Sequence, residues 1–183
     1  MAVQSTMMAL GTSAPPFELP DAASGKTVKL GDFAGRPLVV AFLCNHCPYV
    51  KHMLDGFVAF ARDYGAKGLG IVAICSNDAR SYPADAPGEM AKLARAKDFP
   101  FPYLVDDSQD IARAYAAACT PDLYLFDRDG KLAYRGQFDR SRPGDKSPVT
   151  GADLRIAADA LLSDRPVPGK QMPSMGCSIK WKR

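Results

Sequence analysis

Between Pro37 and Cys75 the hydrophobic pattern changes period twice. Leu38-Val39-Val40-Ala41-Phe42-Leu43 is an unbroken apolar run, too short for a helix and rich in strand formers, which predicts a central strand buried on both faces. Val50, Met53, Leu54, Phe57, Ala61 and Tyr64 then fall at the i, i+3, i+4, i+7 spacing of a core-packed helix, with Pro48 in its first turn and Gly65 and Gly68 at its end. Leu69 to Cys75 is a second apolar run and predicts a second strand. Strand, helix, strand in this order makes a right-handed parallel crossover.

The flanks complete a mixed sheet. Phe17-Glu18-Leu19 and Thr27-Val28-Lys29-Leu30 alternate around Ser24-Gly25-Lys26 and predict a hairpin ahead of the main fold. Residues 76–88, rich in Pro, Gly, Asn and Asp, read as a long loop before a helix at about 89–97. Tyr103-Leu104-Val105 predicts a short strand, and Ser108 the N-cap of a helix running through Tyr115 to Ala118. Leu123–Phe126 and Lys131–Arg135 flank Asp127-Arg128-Asp129-Gly130 as a hairpin with an Asp-Gly turn. A helix over 151–162 follows, capped at Thr150, with Leu154, Ala157, Ala158 and Leu161 on one face and Pro166 and Pro168 stopping it. The expected architecture is a single α/β domain: an arm at 1–13, a core at 14–165 with a mixed sheet flanked by helices, and an irregular tail at 166–183.

Composition narrows the function. A chain of 183 residues with 47% hydrophobic content suits one buried core. Its 23 basic and 20 acidic residues are spread along the chain, so the net charge of +3 offers no stripe for nucleic acid. No run approaches the ~18 apolar residues of a membrane span. Met1–Leu10 lacks the basic start and long apolar stretch of a signal peptide, so a cytoplasmic location is expected. Lys180-Trp181-Lys182-Arg183 reads as a solvated end docked by its aromatic. Five cysteines, an odd number at irregular spacing, do not form the framework of a disulfide-rich domain; their interest is reactivity.

Reactivity points to Cys44-Asn45-His46-Cys47-Pro48. Cys47 falls between the end of the central strand and the first turn of the helix, where unpaired N–H groups and the helix dipole favour a thiolate. Cys44, three residues earlier, is close enough to close a disulfide with it, and His46 between them could tune it. His52 reads as a surface histidine. Thr120-Pro121 precedes a strand, and a proline there belongs at an edge or turn. Cys75 reads as an inert buried thiol. Cys119 is either a packing residue or a third redox partner, and Cys177 could fold back as a resolving thiol. Arg135, late in its strand, reads as a solvated edge residue before an anion contact.

Cys44–His52, Ser76-Asn77-Asp78, Ala118–Asp122, Tyr134–Gln137 and Gly176–Lys182 together resemble the peroxiredoxin-like branch of the thioredoxin superfamily, related to the AhpC/TSA redoxins. The resemblance spans about 11–182 and implies a thioredoxin-like fold with the N-terminal hairpin as an extension. It implies a cis Thr120-Pro121 bond facing the reactive cysteine, with Cys119 nearby. The implied function is a thiol-disulfide oxidoreductase using Cys47 with Cys44 as partner and His46, Pro48, Thr120, Pro121 and Cys119 in support. Its substrate would be a protein or small-molecule disulfide, or a hydroperoxide, with a thiol reductant and no cofactor. The alternative is a thiol peroxidase with Cys44, Cys119 or Cys177 as resolving thiol. Against it, Cys44 and Val40 stand where a peroxiredoxin has Thr or Ser and Pro. Val50 stands where thioredoxins place the second cysteine, which leaves the partner to come from Cys44 or elsewhere. A metal-binding or redox-inactive module is the other class. Cys44, His46 and Cys47 are part of a metal set, but no second C-x-x-C or distant histidine completes it.

Overall fold

A computed structural model describes residues 2–182. In chain order the elements are β1 (Ala2–Gln4), β2 (Glu18–Pro20), β3 (Thr27–Lys29), β4 (Leu38–Phe42), α1 (Pro48–Gly65), β5 (Gly70–Cys75), α2 (Pro87–Ala96), β6 (Tyr103–Val105), α3 (Asp110–Ala114), β7 (Cys119–Thr120), β8 (Asp122–Phe126), β9 (Leu132–Gly136), α4 (Ala152–Leu162) and β10 (Met175–Ser178). The main sheet has the order β6-β5-β4-β8-β9. β4 at its centre runs parallel to β5, from Leu38 opposite Gly70 to Phe42 opposite Ile74, and antiparallel to β8. Every residue of β4 and β5 is buried, which is why both read as unbroken apolar runs. The two-residue period then divides them. Val39 and Ala41 pack with α1 and α4, while Val40 and Phe42 pack with Phe17, Phe33, Ala112 and Tyr115 on the opposite face. β2 and β3 form the expected hairpin extension, and β8 and β9 the expected antiparallel pair around Asp127–Gly130.

Two helix starts differ from expectation by one residue, and acidic side chains outside the helices organise both. At α3 the residue preceding the helix is Gln109 in the left-handed region (φ 67°), not Ser108. The Asp106 carboxylate accepts from the amides of Ile111 and Ala112 at 3.5 and 3.0 Å, while the Ser108 hydroxyl accepts only from Asp110 N–H at 3.2 Å. The helix ends by Ala114, ahead of Ala116 at φ 48°, and does not reach Ala118. At α4 the residue preceding the helix is Gly151 (φ 67°). The expected Thr150 does accept from the first helical amide, Ala152 N–H, at 3.3 Å, and Asp139 fixes the turn ahead of it by accepting from the amides of Thr150 and Gly151 at 2.8 and 2.7 Å. α2 begins two residues before the expected start, at Pro87, a residue preorganised for a first helical turn.

The tail and Arg135 also depart from expectation. The segment expected to be irregular contains β10, which lies between β1 and β7 in a three-stranded antiparallel sheet. Met-Gly-Cys-Ser carries no alternation that marks a strand, and its pairing is dictated by partners far away in sequence. Beyond it, the Lys180 carbonyl accepts from Asp78 N–H and the Gln109 side chain, each at 2.8 Å, and Trp181 lies under the Arg113 guanidinium. Arg135 is fully buried, not solvated. β9 is the edge of the main sheet, but the N-terminal arm covers it, and the guanidinium donates to the hydroxyls of Ser5 and Thr6 at 2.5 and 2.8 Å. Among the described residues no helix is long and apolar enough to cross a membrane.

Candidate active site

β4 delivers the chain to the site and α1 carries it away. Cys47 is the N-cap of α1, in extended conformation (φ −67°, ψ 125°), and Pro48 fills the first helical position. The Cys47 carbonyl accepts the first helical hydrogen bond, from Lys51 N–H at 3.0 Å. The peptide bond Thr120-Pro121 is cis. The Thr120 carbonyl oxygen stands 3.1 Å from the Cys47 sulfur and accepts from it while the thiol is protonated. The Thr120 hydroxyl lies 3.2 Å from the Cys44 sulfur. One residue therefore contacts both thiols of the C-x-x-C pair.

The surroundings divide the two thiols. Cys47 is held well below the ordinary thiol range, chiefly by a hydrogen-bonding proton from the Cys44 thiol. Burial opposes this, and the amides of Cys177 and Val50 and the Cys177 thiol favour the anion again. Cys44 moves the opposite way, pushed up by the proton it shares with Cys47, by burial and by the negative charge of Asp85. The arrangement favours the anion on Cys47 and the proton on Cys44, with both residues buried: Cys47 is 0% exposed and Cys44 1%.

Asp85, which sequence reasoning missed, organises the strand-to-helix turn. One of its oxygens accepts from the amides of Asn45 and His46 at 2.8 and 3.3 Å. The other meets His46 Nδ1 at 2.6 Å and accepts from the Asn77 side chain at 2.8 Å. The carboxylate is 2% exposed, and these donors replace the water it has lost. His46, stacked on Tyr82, keeps its ring at the surface end of the pair. Donor atoms of Cys44, His46 and Asp85 lie within 4.8 Å of one another. This set has the right chemistry for a metal, but hydrogen bonds already occupy both Asp85 oxygens and His46 Nδ1.

The other predicted residues separate into members and bystanders. Cys177, carried by β10, is partly buried and packs against the cluster that includes Cys44 and Cys47. Cys119 is adjacent but fully buried, its thiol donating to the Pro121 carbonyl at 3.4 Å, and burial pushes it far above the ordinary thiol range. Cys75, inside β5, is pushed up to about 12 by burial. Burial thus disfavours the thiolate at both. His52 lies one turn along α1 and meets the Ser141 hydroxyl at 2.9 Å, away from the sulfurs.

A mixed five-stranded sheet, a C-x-x-C thiol pair at the start of the first long helix and a cis-proline turn facing it define a thioredoxin-fold redox protein. The AhpC/TSA family profile matches residues 10–135, and the chain belongs to that family, in the peroxiredoxin-like branch of the superfamily. It is similar to thiol-disulfide oxidoreductase ResA of Bacillus cereus, at 25% identity over 125 residues covering 68% of each chain. Two solved structures match almost end to end. An uncharacterized conserved protein from Geobacillus kaustophilus is 55% identical, with a TM-score of 0.98 over 100% of this chain and 97% of its own. The hypothetical protein SMc02350 from Sinorhizobium meliloti 1021 is 47% identical, with a TM-score of 0.95 over 98% of each chain. The family makes this chain a thiol-dependent oxidoreductase.

Proposed function

We propose that the protein is a thiol-disulfide oxidoreductase in which Cys47 attacks and Cys44 resolves. The observation that carries this reading is the placement of the two sulfurs. Cys47 is the N-cap of α1 with its sulfur 3.1 Å from the carbonyl of the cis Thr120-Pro121 turn, and Cys44, three residues upstream, has its sulfur 3.2 Å from the Thr120 hydroxyl. These surroundings lower the Cys47 thiol and raise the Cys44 thiol. Reduction of a disulfide RSSR' proceeds in two exchanges. The Cys47 thiolate attacks one sulfur, R'S⁻ leaves and takes a proton, and a Cys47–SR mixed disulfide remains. Cys44 then loses its proton, attacks the Cys47 sulfur and expels RS⁻, leaving a Cys44–Cys47 disulfide for an external thiol reductant to reopen.

The second exchange needs Cys44 to ionise, and the first prepares it. Once Cys47 is bonded to RS its charge is gone, which removes the largest cause holding the Cys44 proton. The His46–Asp85 pair, whose atoms lie within 4.8 Å of the Cys44 sulfur, is placed to take that proton. A peroxide substrate would use the same Cys47 thiolate, but the threonine or serine and the proline of a peroxidase site are replaced by Cys44 and Val40. A protein disulfide is therefore the favoured substrate over a hydroperoxide, and a reducing compartment such as the cytoplasm suits the cycle.

The test is turnover of an insulin-type disulfide and of hydrogen peroxide, side by side, in a Cys177→Ser background that removes the third nearby sulfur. Cys47→Ser is expected to abolish reductase turnover. Cys44→Ser is expected to stop it at a mixed disulfide on Cys47, detected by mass. Equal residual turnover in the two variants, or faster consumption of peroxide than of disulfide, contradicts the assignment.

A further inference from the structure

The seal over Cys47 is made by the C-terminal strand of the same chain. β10 lies antiparallel to β7 with Cys177 opposite Thr120, the residue whose carbonyl oxygen stands 3.1 Å from the Cys47 sulfur. Gly176 lies flat on the same peptide group. A Cβ there would sit 1.9 Å from the Thr120 oxygen and 2.5 Å from its carbonyl carbon, so glycine alone lets the strand approach this far. The other edge of β10 pairs with β1, from Ala2 opposite Cys177 to Gln4 opposite Met175. Both ends are fastened, by Ser174 to the Gly136 carbonyl at 2.7 Å and by Ile179 N–H to the Ala118 carbonyl at 3.1 Å. Cys177, opposite Thr120 in the pairing with β7, packs against the cluster that contains Cys44 and Cys47.

Resting on the reading of Cys47 as the nucleophile, we propose that β10 is a self-docked strand: it fills the edge of β7 that an extended polypeptide disulfide would join, and presents Cys177 as a third redox thiol that bonds to Cys47 and exchanges with Cys44. A two-residue strand flanking the sulfurs that, among the described residues, pairs with β10 and no other strand is a template for strand addition. Cys177 is the partly exposed member of a cluster whose other two sulfurs are sealed.

The chemistry balances with a small disulfide RSSR as oxidant. The Cys47 thiolate displaces one RS⁻ and forms Cys47–SR. Cys177 gives up its proton, attacks the Cys47 sulfur and displaces the second RS⁻. The two protein thiols are thereby oxidised to a Cys47–Cys177 disulfide, and RSSR is reduced to two RSH. Cys44 can next attack Cys47 and release Cys177 as a thiol, an exchange with no net electron transfer. Reduced and closed, the Cys177 proton is retained by burial and by the charge on Cys47. The charge disappears when Cys47 becomes a mixed disulfide, which lifts the Cys47 contribution to holding that proton and leaves burial as the remaining one.

Full-length chains, reduced and then treated with one equivalent of oxidised glutathione, test this by mapping linked peptides without reductant. Cys44→Ser is expected to give a Cys47–Cys177 link, Cys177→Ser a Cys44–Cys47 link, and the unaltered chain both. Gly176→Val in the Cys44→Ser chain is expected to cut the Cys47–Cys177 yield and raise Cys47 alkylation about tenfold, the opening cost of roughly one backbone hydrogen bond. If Gly176→Val does not fold, the Cys44→Ser mapping decides alone. A Cys44→Ser chain that carries glutathione on Cys47 and never forms the link overturns the self-docked strand and leaves Cys47 as the nucleophile. A Cys47 that takes up no glutathione in any variant overturns both.

Discussion

Cys47 and Cys44 sit three residues apart in one turn, yet their thiols are driven in opposite directions by a single shared proton. The consequence is a pH profile with a specific dependence. A lowered thiol stays ionised as pH falls below the ordinary thiol pKa of ~8.5, so Cys47 alkylation should persist into mildly acid solution. Cys44→Ser replaces the main proton source and should move the midpoint of that profile upward, read by mass-resolved labelling from acid to alkaline pH. Asp85 acts one step further out. Asp85→Asn would aim an amide N–H₂ or a single oxygen at four donors that the carboxylate now satisfies. The expected cost is about 1–3 kcal/mol in urea unfolding, with slower release of the mixed disulfide and little change in its formation. The thiol pair was legible because a C-x-x-C after an apolar run has few other uses. Asp85 was not, because an acidic residue in a Pro- and Gly-rich loop carries no mark of burial until the fold brings it beneath Asn45 and His46.

The long periodic elements were readable because their burial is decided by their own side chains. α1 shows this best: its predicted stripe, Val50, Met53, Leu54, Phe57, Ala61 and Tyr64, is buried throughout. Phe57 touches the rings of Phe60, Phe101 and Phe138. Phe57→Ala should therefore cost about 3–5 kcal/mol and lower the melting temperature without altering the order in which the cysteines label. α3 and α4 were located but their starts were misjudged by a residue, since Asp106 caps α3 from outside and Asp139 fixes the turn that leads into α4. β10 was invisible for the same kind of reason: its register is set by Thr120 and by Ala2–Gln4. Short elements that take their conformation from distant partners leave little local pattern.

At the scale of the molecule, the N-terminal arm, the sheet edge and the turn facing the site meet at Arg135. Its guanidinium holds Ser5 and Thr6, lies over Tyr124 and pulls down the Asp122 carboxyl, which burial otherwise pushes up. Asp122 in turn accepts from Ser5 at 2.7 Å and from Ala118 N–H at 3.2 Å, next to β7. Arg135→Met should push Asp122 up further. A carboxyl raised in the folded state gives stability that is full below its unfolded pKa and is lost as pH rises through the raised value. The variant should thus lose about 3 kcal/mol at neutral pH and recover part of it in acid, as read by urea midpoints across that range. The same network ends beside β7, the strand that faces the thiols, whose ionisation decides the chemistry. Ultraviolet thiolate absorbance, titrated against pH in the unaltered chain and in Cys47→Ser, measures it whether or not the sulfur is covered. The prediction is a thiolate signal already present below pH ~7 that disappears in Cys47→Ser. A signal that emerges only near the ordinary thiol pKa, or that survives the substitution, would contradict it.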